Sequence, residues 1–361
     1  MSLLKEIRNL VYDEIRRRPY KDGDRLPGVR DLALTYGVSY VTMSNALAML
    51  AREGVIRQFP GKGSFVTDMV SKNSLALFVP DYLIGLRAFD PATGSTCLFG
   101  LMDVYAGLLA AVQREGFNMH VIPVYEGADV LDKYYDTAVK KLNVAGAFFM
   151  ALSSDSLIDR FSESGIPCCK LHTPGETRYN YVAVDIEKGA FKVVNHLIKT
   201  GHRRVAMISM NISNPWFRTR YNGYCAALKK HRLELDPGML ESFSSDNVDD
   251  ASLAGAVNRL LALEQRPAAI FVTSDRWALR VLRILKEKGL NIPGDISVAG
   301  FDDFAESKVS DPPLTTVAQP FYELGSEAVS LMKDLLREGK TRARRIIEPR
   351  LIVRESSSGP L

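Results

Sequence analysis

Cysteine is scarce in this sequence: Cys97, Cys168, Cys169 and Cys225 are all that 361 residues contain. Their spacing fits neither a disulfide framework nor a zinc site, so no metal is expected. The adjacent pair in "GIPCCKLH" reads as two small residues on opposite faces of a strand, buried in a reducing compartment. Long apolar runs are missing as well. A membrane-spanning helix needs roughly 20 apolar residues, and charged side chains interrupt every stretch here well before that. The opening "MSLLKEIRNLVYDEIRRRPY" has no apolar core with a small-residue cleavage site behind it, so it does not read as a signal peptide. The expected location is the cytoplasm, with no membrane partner. Also absent are a P-loop, a Gly-x-Ser-x-Gly elbow, a metal-ligand cluster and a Gly-x-Gly-x-x-Gly turn after the first α/β strand. These absences point away from an enzyme and away from any cofactor.

What is present is unevenly distributed. Residues 1–73 hold 12 lysines and arginines against 8 acids, and the remainder holds 34 of each sign. The whole positive excess therefore lies in the first fifth of the chain. A small basic module ahead of a neutral body points to a polyanion as the partner of the module alone.

Within that module, Leu3, Ile7, Leu10, Val11 and Ile15 recur at helical spacing. "PYKDGDRLPG" stops the helix, "VRDLALTY" fits a second one ended by Gly37, and a third follows in "YGVSYVTMSNALAML", with Ser39 placed to N-cap it. Met43, Ala46, Leu47 and Leu50 make one apolar stripe on the third helix. Tyr40, Ser44 and Asn45 lie off that stripe, with Thr42 at its flank. "VIRQFPGKGSFV" reads as two short strands around a Pro-Gly-Lys-Gly tip. Three helices and a basic-tipped hairpin describe a winged helix-turn-helix, in which short polar residues at the start of the third helix reach base edges and phosphates.

"GDRLPGVRDLALTYGVSYVTMSNALAMLAREGVIRQFPGKGSFV" strongly resembles the winged-helix domain of the GntR family. The Leu-Pro-x-x-Arg-x-Leu-Ala run, the Val-Ser-x-x-Thr turn, the Ala-Leu-x-x-Leu-x-x-Glu-Gly helix end and the Gly-x-Gly-x-Phe-Val wing occur in the family's order. The resemblance implies operator-DNA contacts from Arg30, from Ser39, Tyr40, Thr42 and Ser44, and from Gly61, Lys62 and Gly63 at the wing tip. Asn45 joins them by its place on the polar face. The family often has arginine at the positions of Tyr40 and Ser44, so base readout here differs from the usual guanine-reading pattern.

Beyond a short polar stretch at 67–74, buried-type strands alternate with amphipathic helices at 101–115, 187–200, 217–231, 251–263 and 276–288. The strands are "LALFVP", "MHVIPVY", "GAFFMAL", "IPCCKLH", "YVAVD", "RVAMISM", "AAIFVTS" and "ISVAGFD". That alternation argues for a parallel α/β body, long enough for two lobes. The fragments "VAVDIEKGAFKVVNHLIKTGHRRVAMIS", "RTRYNGYCAALKK", "AIFVTSDRWALRVLRILKEKGLNIPGDISVAGFDD" and "PPLTTVAQPFYELGSEAVSLMKDLL" resemble the LacI/GalR effector domain. The whole chain looks like the arabinose-repressor subgroup. The fold implied is an α+β winged helix-turn-helix followed by an α/β type I periplasmic-binding-protein-like body of two Rossmann-like lobes. The expected division is a reader at 1–67, a linker at 68–74 and an effector and dimerisation body at 75–361. Lobe 1 is expected at 75–184 with 318–345, and lobe 2 at 185–317 with 346–356.

The same resemblance implies a ligand held by Arg220 and Asp302, with Gln319 and Phe321 from a crossover and Ser274 where many members have asparagine. Asp303 competes with Asp302 for its role. Asp81, Phe99 and His172 are further wall candidates, while His196 and His202 read as structural residues at a helix end. The expected function is a homodimeric repressor of carbohydrate-utilisation genes that binds double-stranded operator DNA and answers to a small effector, a carbohydrate. The alternatives are the same architecture with a non-sugar effector or acting as an activator and, more remotely, an enzyme or a solute-binding protein.

Overall fold

The structure, a computed structural model, describes residues 3–17, 20, 22–67, 74–81, 97–125, 131–152, 154–244, 248–338 and 342–357. Of the expected linker, all but Ser74 lies outside the described residues. Compactness groups the chain into two units. One is Met1–Pro80 with Val112–Cys168 and Met332–Thr341; the other is Asp81–Ala111 with Cys169–Leu331 and Arg342–Leu361.

The chain opens with α1 (Leu3–Arg17), α2 (Val29–Thr35) and α3 (Tyr40–Arg52), followed by β1 (Ile56–Phe59) and β2 (Gly63–Val66). Next come β3 (Ser74–Pro80), α4 (Cys97–Arg114), β4 (Asn118–Val124), α5 (Leu131–Asp136), β5 (Gly146–Met150), α6 (Ser156–Glu163) and β6 (Cys168–Leu171). Then follow β7 (Asn180–Val184), α7 (Ile186–Lys199), β8 (Val205–Ser209), α8 (Pro215–Lys230), β9 (Leu240–Ser242) and α9 (Asp250–Leu261). The last elements are β10 (Ala269–Val272), α10 (Asp275–Glu287), β11 (Ser297–Ala299), α11 (Ala305–Val309), β12 (Thr316–Ala318), α12 (Phe321–Glu338), β13 (Arg344–Ile347) and β14 (Arg350–Ile352). Every strand and helix expected from the alternation is present.

In the first unit, Ile7, Val11 and Ile15 of α1 meet Leu32 of α2 and the stripe Met43, Ala46, Leu47 and Leu50 of α3, all buried. Each large side chain removed from water here contributes about 1.5–3 kcal/mol. Gly54 ends α3 at φ +74°, a left-handed turn that glycine adopts without penalty, and Val55 N–H closes back on the Leu50 carbonyl. β1 and β2 pair antiparallel, Ile56 opposite Val66. Residues 23–26 add a third strand to β2 through Gly23 N–H to Val66 O, Val66 N–H to Asp24 O and Leu26 N–H to Ser64 O. Elsewhere in this unit β3 lies between β4 and β5, all parallel. Phe78 stacks on Phe149 at 5.1 Å, and Phe161 of α6 meets both edge-on. Arg337 near the end of α12 pairs with Asp13 of α1 at 2.6 Å.

In the second unit, β8 lies between β9 and β10, with β11 outside β10, all parallel. Ala206, Ile208, Ile270, Val272 and Val298 pack against Val257 and Leu260 of α9 and Val281 and Leu285 of α10. α7 and α8 pack so closely that a Cβ on Gly223 would overlap the Glu187 carbonyl oxygen. β6 and β13 flank β7 in parallel, and β12 pairs antiparallel with β14. Residues near the C-terminal end are stitched in. Ser356 exchanges hydrogen bonds with Val298 (Val298 N–H to Ser356 O 2.8 Å, Ser356 Oγ to Val298 O 2.6 Å), and Ser357 Oγ meets His196 Nε2 at 2.9 Å.

Candidate functional site

The reading end of the winged helix is built at the start of α3. Ser39, in extended backbone, accepts a 3.0 Å hydrogen bond from Thr42 N–H, and its Oγ also meets Thr42 Oγ1 at 2.8 Å. With the cap made, Tyr40 and Asn45 are exposed while Thr42 and Ser44 are half-buried. Val41, which sequence reasoning passed over, is 64% exposed beside them. Arg30 is exposed in the first turn of α2. At the wing tip Gly61 (φ +72°) and Gly63 (φ +108°) turn the backbone through regions that side chains rarely adopt, presenting Lys62 to solvent.

In the second unit, Arg220 of α8 and Asp302, just after β11, form a buried pair, with Nη2 3.0 Å from Oδ1. Gln319 Nε2 donates to the same oxygen at 2.8 Å, and Ser274 Oγ donates to Oδ2 at 3.3 Å. The Arg220 fork is fixed from both sides: Nη1 donates to Thr273 O at 2.8 Å, and the Phe301 ring lies 4.4 Å from its Cζ. Burial pushes the Asp302 carboxyl up, while Arg220, Gln319 and Ser274 pull it down. Asp303 turns away and pairs with Arg354 at 2.5 Å. The two aspartates that sequence reasoning left in competition thus have separate partners.

His172 sits on the same group. Its backbone is left-handed (φ +51°), and its ring lies 4.4 Å from Trp216 and edge-on to Phe321 at 5.2 Å. Burial, and secondarily the Arg220 charge, hold its pKa down to about 3, so the imidazole is neutral near pH 7. Trp216 is one helical turn before Arg220 on α8, and sequence reasoning missed it because "NPWFRTR" reads as an ordinary capped helix start. Thr219 Oγ1 donates to Pro174 O at 2.9 Å, tying α8 to the turn after His172. Three buried polar atoms in this group have no hydrogen-bond partner among the described residues: Arg220 Nε, Gln319 Oε1 and His172 Nδ1. Orphaned buried groups are rare and mark places where a ligand or water completes the set. Here they offer a donor, an acceptor and a nitrogen whose role depends on its tautomer.

Asp275 supports the site and was not singled out from the sequence. Fully buried, it accepts hydrogen bonds from Thr316 Oγ1 (2.5 Å), Ser307 Oγ (2.7 Å) and Phe304 N–H (3.1 Å). It thereby joins α10 to the turn that carries Asp302, to α11 and to β12. Burial and the neighbouring Asp302 push its pKa up to about 7. The remaining expectations are less connected. Asp81 is half-buried directly after β3, and no hydrogen bond among the described residues joins it to Asp302. Phe99 belongs to the first turn of α4, and its side chain lies outside the described set. His202, read as a structural residue at a helix end, reaches Ser297 Oγ of β11 at 3.0 Å.

Comparison with known proteins matches both parts. Residues 3–66 match the family described as bacterial regulatory proteins, gntR family, and residues 194–357 match the periplasmic binding protein-like domain. The HTH-type transcriptional repressor PurR of Haemophilus influenzae is 29% identical over 249 residues, 67% of this chain and 73% of that protein. The HTH-type transcriptional repressor CytR of Escherichia coli is 36% identical over 177 residues, 49% of this chain and 51% of that protein. Among solved structures, a LacI-type transcriptional regulator from Bacillus cereus superposes with a TM-score of 0.62 at 25% identity, covering 79% of this chain and 98% of that one. A transcriptional regulator CelR–cellobiose complex superposes with a TM-score of 0.63 at 24% identity, covering 92% and 100%.

Fold, site and relatives define a ligand-responsive, DNA-binding transcriptional regulator. In particular, residues 3–66 are a winged helix similar to the gntR family, and residues 194–357 are similar to the periplasmic binding protein-like domain. No helix among the described residues is long and apolar enough to cross a membrane.

Proposed function

We propose that the chain is a homodimeric, cytoplasmic repressor without catalytic activity, whose grip on operator DNA is changed by a small neutral sugar bound at Arg220 and Asp302. The reader is residues 1–67, joined through 68–74 to the body at 75–361. One observation carries the effector reading: a buried, mutually neutralising Arg220–Asp302 pair beside three orphaned polar atoms and an aromatic wall. Hydroxyls both donate and accept, so a polyhydroxy ring satisfies Arg220 Nε and Gln319 Oε1 together, and its C–H face suits Trp216 and Phe321. Arg30, Ser39, Tyr40, Thr42, Ser44, Asn45 and the tip 61–63 contact DNA, two readers serving two half-sites of a near-palindromic operator.

A flat nitrogen heterocycle is the second reading, favoured by the three rings of His172, Trp216 and Phe321. A thermal-shift screen of sugars, sugar phosphates and nucleobases separates the two. A bound compound raises the unfolding midpoint, by about 2.7 kcal/mol of stability at a hundredfold excess over Kd. A sugar shift that disappears in Arg220→Ala supports the first reading. A shift from nucleobases alone supports the second.

A further inference from the structure

The outer face of the wing sheet carries a row of side chains that the helix and tip contacts leave unused. Arg57 of β1 stands opposite Phe65 of β2, and Phe65 bridges to Arg25 on its other side. Directly opposed residues share a face of a sheet, so Arg57, Phe65 and Arg25 form one row across three strands. Their neighbours Ile56, Ser64, Val66 and Leu26 are buried, which turns the row outward. Both arginines are exposed and Phe65 is half-buried between them, with Phe59 packed edge-on against it at 5.6 Å. Arg25 also reaches the tip: a Cβ on Gly63 would lie 3.1 Å from its Nε, so Gly63 leaves room for the guanidinium.

Charge completes the picture. Among the described residues Arg25, Arg57 and Lys62 form no ion pair, whereas Arg8 in the same domain is paired with Glu53. Three uncompensated cations held on one small sheet repel one another, and a polyanion relieves that repulsion. Guanidinium forks match phosphate geometry, and rigid strands fix their spacing.

We propose that the row Arg25–Phe65–Arg57 is a surface that binds the phosphodiester backbone of duplex DNA, in addition to α3 and the wing tip. The inference rests on the DNA-binding reading above. Phosphate contacts fix register and orientation without reading sequence, so this surface adds affinity on any duplex.

The test is fluorescence anisotropy of the full chain with a short labelled duplex of arbitrary sequence, titrated across a range of salt. The slope of log K against log salt falls by about 0.9 for each phosphate that the protein no longer neutralises. Arg25→Gln and Arg57→Gln each lower the slope by about one unit and the double variant by about two, with the melting temperature of the parent kept. Arg8→Gln, which removes an already neutralised charge, leaves the slope in place. A slope unchanged in both wing variants overturns the proposal, even if binding weakens, because the arginines would then only shape the wing. A parent chain that binds no duplex at low salt would overturn the DNA-binding reading itself.

Discussion

Arg220 and Asp302 hold each other in place: their side chains are 8% and 10% exposed and meet at 3.0 Å, so neither has bulk water to fall back on. Removing one charge strands the other. Asp302→Ala should cost about 3–5 kcal/mol of stability and abolish the response to effector, because a buried guanidinium is left unpaired. Asp302→Asn keeps the shape and should lose the response at a smaller stability cost. Chemical denaturation and effector titration of both variants check this, with DNA binding retained as the control.

Asp275 sets a pH dependence. Its carboxyl ordinarily titrates near 3.8 and is pushed up to about 7 in the folded chain. Between those values the folded state keeps a proton that the unfolded state has lost, so this group's contribution to stability is full below 3.8 and lost as pH rises toward 7. The melting temperature of the parent should therefore fall relative to that of Asp275→Asn as pH rises across that window and run parallel to it above. Parallel curves throughout would contradict the assignment.

His172 works in the opposite direction. Unfolded, it takes up a proton near 6.5; folded, it stays neutral down to about 3. Stability from this residue therefore falls as pH drops below 6.5. His172→Phe should flatten that acid limb of the melting curve. In the parent, effector affinity should show no His172 titration between pH 5 and 8.

Close backbone contact between α7 and α8 gives a packing test. Gly223→Ala places a methyl group onto the Glu187 carbonyl and the Ala190 side chain, so the helices must separate. Overpacking of this kind costs about 1–3 kcal/mol. Urea denaturation should show it, with effector affinity reduced because Arg220 rides on α8.

The cap at Ser39 is a local test of the reader. Ser39→Ala should destabilise the winged helix by about 1 kcal/mol through loss of the hydrogen bond to Thr42 N–H. DNA affinity should fall further than that stability loss explains if Ser39 also touches a phosphate.

Much of this was legible in the sequence because it is local. Helical periodicity located α1 and α3, β-rich apolar runs located β3 to β8, β10 and β11, and Asp302 could be placed at a strand end. What was not legible depends on partners far apart in the chain. Nothing near Asp302 or Asp303 says which one meets Arg220; the choice is made by Arg354, 51 residues on, which takes Asp303. Trp216 becomes a wall only when His172 and Phe321 arrive beside it. Arg25 and Arg57 form a row only through the register of β2. The strands β9, β13 and β14 carry charged residues within their three or four positions, so no apolar run marks them.

The stitching of Ser356 and Ser357 into β11, α7 and the Thr315 backbone has a consequence for biosynthesis. Chains emerge from the ribosome N-terminus first, and each domain folds when its last required residue is free of the exit tunnel. The reader's core is complete by Val66, so it can fold while most of the body is still unmade. The hydrogen bonds of Ser356 and Ser357 to β11, α7 and Thr315 form only once residue 357 has emerged. Each newly made molecule therefore passes through an interval in which its winged helix has a complete core while the body still lacks these last hydrogen bonds.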